Sequence, residues 1–111
     1  MDIIFSKDKD QKMFNSQKEL VKKFGPECAK KIRRSLDDLY AVDNLSQMKS
    51  LPGGCHELHG DKKEVFAMAV SGGLRLLFEA TDQQNARKPD GGLDWKKVTS
   101  ITILDIEDYH D

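Results

Sequence analysis

Five side chains in this sequence are of the types that move protons or hold phosphate: Arg75, His56 and the run Asp108-Tyr109-His110. Arg75 breaks an otherwise apolar run, Leu74-Arg75-Leu76-Leu77-Phe78. An arginine on the polar side of a half-buried strand is a fixed, permanently charged fork suited to a pair of phosphate oxygens. A histidine, as at position 56, is a side-chain type that can serve as a general acid or base. In an extended chain Asp108 and His110 share a face, so the carboxylate can orient the imidazole, and Tyr109 points the other way. Together these groups suggest a small acid/base site acting on a phosphodiester.

Each of these residues also has a plainer reading. Arg75 can be structural, paired with Glu57, Glu79 or Asp105. His56 and His59 can be edge residues of a short strand, and a polar chain end often frays. Cys55-His56-x-x-His59 has part of a metal-site composition but not the spacing of a zinc motif, and no second Cys/His pair accompanies it. No metal or other cofactor is expected. The glycine pairs 53–54, 72–73 and 91–92 lack the spacings of phosphate-binding loops, and no G-x-S-x-G is present.

The elements that must position these groups can be read in order. A short β-prone run, Ile3-Ile4-Phe5, predicts a first strand, and the polar residues 8–11 a turn. Ser16 with Glu19 three residues on has capping-box spacing and opens a helix through Phe24. Gly25 ends that helix and Pro26 starts the next, over 26–41, with Cys28, Ile32, Leu36, Leu39 and Tyr40 in one stripe. After a helical turn near Met48 and the breaker Leu51-Pro52-Gly53-Gly54, the apolar period changes from 3.6 to 2. Strands are predicted over 55–58, 65–70, 74–79 and 98–106, with a tight turn at 71–73 and a long polar loop over 81–95. Trp95 reads as an anchor closing that loop on the sheet. The nearly continuous apolar run in 98–106 predicts a central strand. The fold class is α+β: an N-terminal strand and an α-helical hairpin packed on a mostly antiparallel sheet of four or five strands.

At 111 residues, with 38% hydrophobic and 33% charged residues, the chain is one domain, 1–111, with one core. No run approaches the ~20 apolar residues of a membrane span. The short apolar start is not a signal-peptide core, so a cytoplasmic protein with reduced Cys28 and Cys55 is expected. The net charge of −1 conceals an asymmetry. Residues 7–34 hold ten Lys/Arg against four acids, and 90–111 six acids against two lysines. A basic helical half suits a nucleic-acid backbone or an acidic partner, or is simply a solvated face.

In sequence order, Leu58-x-Gly60-Asp61-Lys62-Lys63, Arg75-Leu76-Leu77-Phe78, Gly91-Gly92-Leu93-Asp94-Trp95 and the terminal Asp108-Tyr109-His110 resemble the RelE/ParE toxin superfamily, in particular the HigB-like plasmid maintenance killer toxins. The resemblance spans most of the chain. It implies a type II toxin whose partner is a helix-turn-helix, HigA-like antitoxin, and which cuts mRNA on the ribosome without a metal. By position, Arg75 corresponds to the phosphate-binding arginine of that family, Asp108, Tyr109 and His110 to its C-terminal trio, and His56 to an upstream histidine. His110 would be the acid, since Glu107 and Asp111 favour its protonated form. His56 would be the base, Asp108 the orienter, and Tyr109 a stacking or hydrogen-bonding group. Lys22, Lys23, Lys30, Arg33, Arg34, Lys62 and Lys63 would face RNA and the ribosome. Two alternatives stay open: a ParE-like poison of a protein such as DNA gyrase, and an inactive relative that only binds its antitoxin. The family is usually basic, and this chain is not. Its 81–95 loop is also longer than a compact toxin needs.

Overall fold

A computed structural model describes residues 1–60 and 64–108. The chain runs β1 (Asp2–Phe5), α1 (Asp8–Phe14), α2 (Gln17–Phe24), α3 (Pro26–Ala41), a 3-10 helix (Leu45–Ser50), β2 (His56–Glu57), β3 (Val65–Ser71), β4 (Leu74–Ala80), a second 3-10 helix (Trp95–Lys97) and β5 (Ser100–Asp108). One sheet, ordered β1-β5-β4-β3-β2, carries the helices on a single face. β5 is an interior strand, between β1 and β4, but only one side of it is buried at a time, so the two-sided burial that its apolar run predicts does not occur. Its pairing with β4 is antiparallel and its pairing with β1 parallel, so the sheet is mixed at that edge.

The helical layer contains one element more than the hairpin read from the sequence. Residues 8–11 form the start of α1 and not a turn. Asp8 and Asp10 fall in its first turn, where the helix dipole favours acids, and Asp10 and Phe14, four apart, both turn inward. Four consecutive charged residues hid that stripe. Ser16 caps α2, its Oγ accepting the Glu19 amide at 3.2 Å. Gly25 then serves both as the end of α2 and as the cap of α3, at φ +87°, a backbone region costly for any residue with a Cβ.

The core lies between these helices and the sheet. Phe14, Leu20, Ile32, Leu36 and Leu39 pack on Phe66, Met68, Leu76, Phe78, Ile101 and Ile103, all of them 1% exposed or less. Phe66 and Phe78 stack with centroids 5.7 Å apart, and the Trp95 edge meets Phe66 at 4.9 Å. Truncating one such phenyl typically costs ~3–5 kcal/mol.

The 81–95 loop is held at both ends. Arg87 donates to both carboxylate oxygens of Glu64, at 2.5 and 2.8 Å, and to the Gly91 carbonyl at 2.8 Å. The hydrogen bonds to Glu64, chiefly, raise the Arg87 pKa above its ordinary value. Ala86 and Leu93 are buried, and Lys49 lies over the Trp95 ring at 4.5 Å. The anchoring role read for Trp95 thus has a direct contact behind it. Among the described residues, no helix is long and apolar enough to cross a membrane.

Candidate active site

The face of the sheet away from the helices carries the site residues. Strand alternation puts Leu76 and Phe78 toward the helices and Arg75, Leu77 and Glu79 on the other side. On β5 the same alternation is interrupted. Asp105 pairs with Leu77 and Ile103 with Phe78, so Leu104 is an extra residue, a β-bulge. Without it, residues 101, 103, 105 and 107 would all share the core face. With it, Ile101, Ile103 and Ile106 face the helices while Asp105 and Glu107 turn outward.

That bulge decides the partner of Arg75. Glu107 stands directly opposite Arg75 in the ladder, and one of its oxygens, Oε1, accepts from Nε and lies 2.5 Å from Nη2. The two side chains are 25% and 27% exposed, so the pair is partly shielded. The carboxylates weighed from sequence position, Glu57, Glu79 and Asp105, did not include this one. Only the register across β4 and β5 reveals it, and a one-residue bulge is not visible in the sequence pattern.

On the other side of Arg75, Ala69 of β3 is its ladder partner, and Ala67 pairs with His56 of β2. These small side chains leave a shallow cleft of about 110 Å³ lined by Gly53, His56, Ala67, Met68, Ala69 and Arg75. Two residues 19 positions apart in sequence, His56 and Arg75, therefore open onto one cavity. His56 is exposed, and its Nδ1 lies 2.9 Å from the Gly54 carbonyl oxygen. A carbonyl cannot donate, so Nδ1 carries the hydrogen. In the neutral ring Nε2 is then the proton acceptor. The Gly53-Gly54 segment thus fixes the tautomer that a general base needs.

Asp108 ends β5 opposite Leu74, exposed and on the other alternation from Glu107. Tyr109 and His110, the remaining members of the C-terminal trio, lie outside the described residues, as do Lys62 and Lys63. Cys55, next to His56, is buried, and that burial pushes its thiol up to about 12 against an opposing contribution from Lys49. It remains a neutral thiol near pH 7. Among the described residues, no three His, Cys, Asp or Glu side chains converge as a metal site requires.

The basic residues separate into two groups. Lys22 and Lys23 are exposed on α2 and border a hollow of about 440 Å³ with Lys9, Asp10, Met13 and Glu19. Lys30 and Arg34 are exposed on α3. Arg33 is half-buried and structural in its contacts: Nη1 donates to the Phe14 carbonyl at 2.9 Å, tying α3 to the end of α1. Nε lies 3.5 Å from Asp37.

No protein-family model and no curated protein matches the chain. Among solved structures, a YoeB/ParE toxin from Agrobacterium tumefaciens superposes with a TM-score of 0.59 at 9% sequence identity, over 99% of this chain and 100% of that one. At that identity the likeness is one of architecture, and it embraces every element from β1 to β5. The chain has the RelE/ParE-like toxin fold.

Proposed function

We propose that this chain is the toxin of a type II toxin–antitoxin system and a metal-independent, ribosome-dependent mRNA endonuclease of the HigB-like kind. One observation carries the reading: His56, with Nδ1–H committed to the Gly54 carbonyl, and Arg75 open onto the same cleft. Such a cleft supports attack by the substrate's own 2′-hydroxyl on the adjacent phosphate. His56 Nε2 takes the hydroxyl proton, Arg75 offsets the charge that builds on the phosphorane, and the 5′-oxygen leaves with a proton from His110. Asp108 and Tyr109 complete the assignment as orienter and as base-contacting group. The fold likeness supports the toxin role, since the similar structure is a toxin.

The partners follow from the same reading: the ribosome and its mRNA, and a helix-turn-helix, HigA-like antitoxin with an acidic segment. The cytoplasm is the compartment where they meet. Lys22, Lys23, Lys30 and Arg34, together with Lys62 and Lys63, supply the phosphate-facing charge, with Arg33 bracing the helices beneath them.

The test is induction in a bacterial host, with growth and mRNA ends mapped for wild type and for His56→Ala, Arg75→Ala, Asp108→Ala and His110→Ala. Wild type should cut translated messages and arrest growth. Loss of one acid/base group should slow cleavage roughly 10²- to 10⁴-fold. Full toxicity in all four variants, or a DNA-damage response with intact mRNA, would replace this reading with that of a protein poison.

A further inference from the structure

A second cleft adjoins the one that holds His56 and Arg75. It is larger, about 320 Å³, and lies between α3 and the β3–β4 turn. Lys31 and Arg34 line it from α3, Ser71 and Gly72 from the turn. The two clefts share Gly53 and Ala69. We propose that the Lys31–Arg34 cleft is a second phosphate subsite, and that single-stranded RNA crosses the Gly53–Ala69 saddle from it to Arg75. This rests on the nuclease reading and adds to it a track for the strand, a further residue that holds it, Lys31, and a defined place for Arg34.

The saddle is low for a structural reason. The Ala69 amide donates to the Gly53 carbonyl at 2.9 Å, so the 52–54 segment lies against β3 like a fragment of strand. Gly53 holds φ +114°, and a Cβ there would sit 2.9 Å from Met68 Cε and 3.1 Å from the Ala69 carbonyl oxygen. Ala69 is exposed and directly opposite Arg75 in the ladder. A glycine and a methyl group thus separate the guanidinium at one end from the cations at the other.

The charge fits a strand and not an isolated anion. Lys31 and Arg34, three apart on α3, rise on the same side of the helix, and neither is in an ion pair among the described residues. Asp38 lines the same cleft. A carboxylate disfavours a bare phosphate there but accepts a hydrogen bond from a ribose hydroxyl, which RNA supplies along its length. One phosphate at Arg75 and another, farther along the strand, at Lys31 and Arg34 would set the direction in which the strand passes His56. Lys31 was not among the basic residues singled out in the sequence, because helix periodicity does not say which side of α3 faces the β3–β4 turn.

The full chain can be tested with fluorescein-labelled, unmodified RNA in the absence of ribosomes, where a ribosome-dependent nuclease binds it without cutting and every ribose hydroxyl is kept. Affinities of a dinucleotide and a hexanucleotide are measured by anisotropy across a salt series. Wild type should bind the hexamer more tightly than the dimer. Lys31→Gln/Arg34→Gln should lose about tenfold for the hexamer, leave the dimer unchanged, and lower the slope of log K against log salt by about 1.4, two contacts at ~0.7 each. Ala69→Leu, which fills the saddle and removes no charge, should reduce the hexamer's advantage while keeping the fold, as followed by thermal melting. A hexamer affinity and slope unchanged in the double variant, with Arg75→Gln still weakening both RNAs, would overturn the subsite and leave the nuclease reading standing. Absence of any binding by wild type, with growth arrest unaffected by Arg75→Ala, would overturn both.

Discussion

The ion pair between Arg75 and Glu107 is the feature of this site with the largest expected consequence. In the nuclease proposed above, the scissile phosphate would need the same guanidinium that Glu107 already engages through Nε and Nη2. Glu107→Gln is the informative change, because glutamine keeps the length and an acceptor oxygen for Nε and removes only the charge. Coulomb's law, for a phosphate about 6 Å from the carboxylate and an effective dielectric between about 20 and 80, gives a repulsion of about 1–3 kcal/mol. The pair is a quarter exposed, so solvent screens part of this and the lower half of the range is the better expectation. Removing the charge should tighten RNA binding by roughly 5- to 30-fold at low salt, and by less at high salt. The assay is equilibrium binding of a non-cleavable RNA at two ionic strengths, with growth inhibition as the cellular readout. Weaker binding by Glu107→Gln would refute the reasoning. It would mean that the carboxylate chiefly aims the guanidinium and that its charge costs the substrate little.

Two further perturbations test the frame that holds the site. Gly53→Ala should lower stability by ~1–3 kcal/mol, since φ +114° is strained for alanine and the Ala69 carbonyl 3.1 Å away cannot move as a side chain could; thermal melting reads the loss directly. Cys55 should make the fold sensitive to alkali. Its folded-state pKa, about 12, exceeds the ordinary 9.0, so its contribution is whole below pH 9 and is lost as pH climbs from 9 toward 12, where only the unfolded chain ionises the thiol. Between pH 8 and 10.5 that amounts to about 2 kcal/mol, visible as a denaturant midpoint that falls more steeply in wild type than in Cys55→Ala.

How far the sequence foretold this molecule depended on whether the governing interactions were local. The Ser16 cap, the Gly25-Pro26 break, the Ile32, Leu36 and Leu39 stripe of α3 and the alternation of Leu74, Leu76 and Phe78 are patterns within one element, and each appears where the spacing puts it, although Tyr40, read as part of that stripe, is exposed. The first helix was hidden because its two inward residues, Asp10 and Phe14, include an acid. The meeting of His56 and Arg75 was legible only as a shared stretch of sheet. It takes the register of β2 on β3 and β3 on β4 to place both on one cleft.

The bulge at Leu104 shows why register could not be read further. The run Ile101-Thr102-Ile103-Leu104-Asp105-Ile106 looks like a strand buried on both sides. In the fold it is two half-buried stretches of opposite phase joined by one extra residue. That residue turns Ile106 into the core and Glu107 out toward Arg75, so a single insertion satisfies the hydrophobic core and sets the charge of the site together. It also gives the acidity near the chain end a specific place. Glu107 is paired with Arg75 and Asp105 lies 3.8 Å from Lys7, so part of the negative charge near the chain end is matched within the fold. The lysines and arginine on the exposed sides of α2 and α3 present their charge from the helical side of the sheet, and of these Arg34 lines the cleft that meets the Arg75 cleft at Gly53 and Ala69.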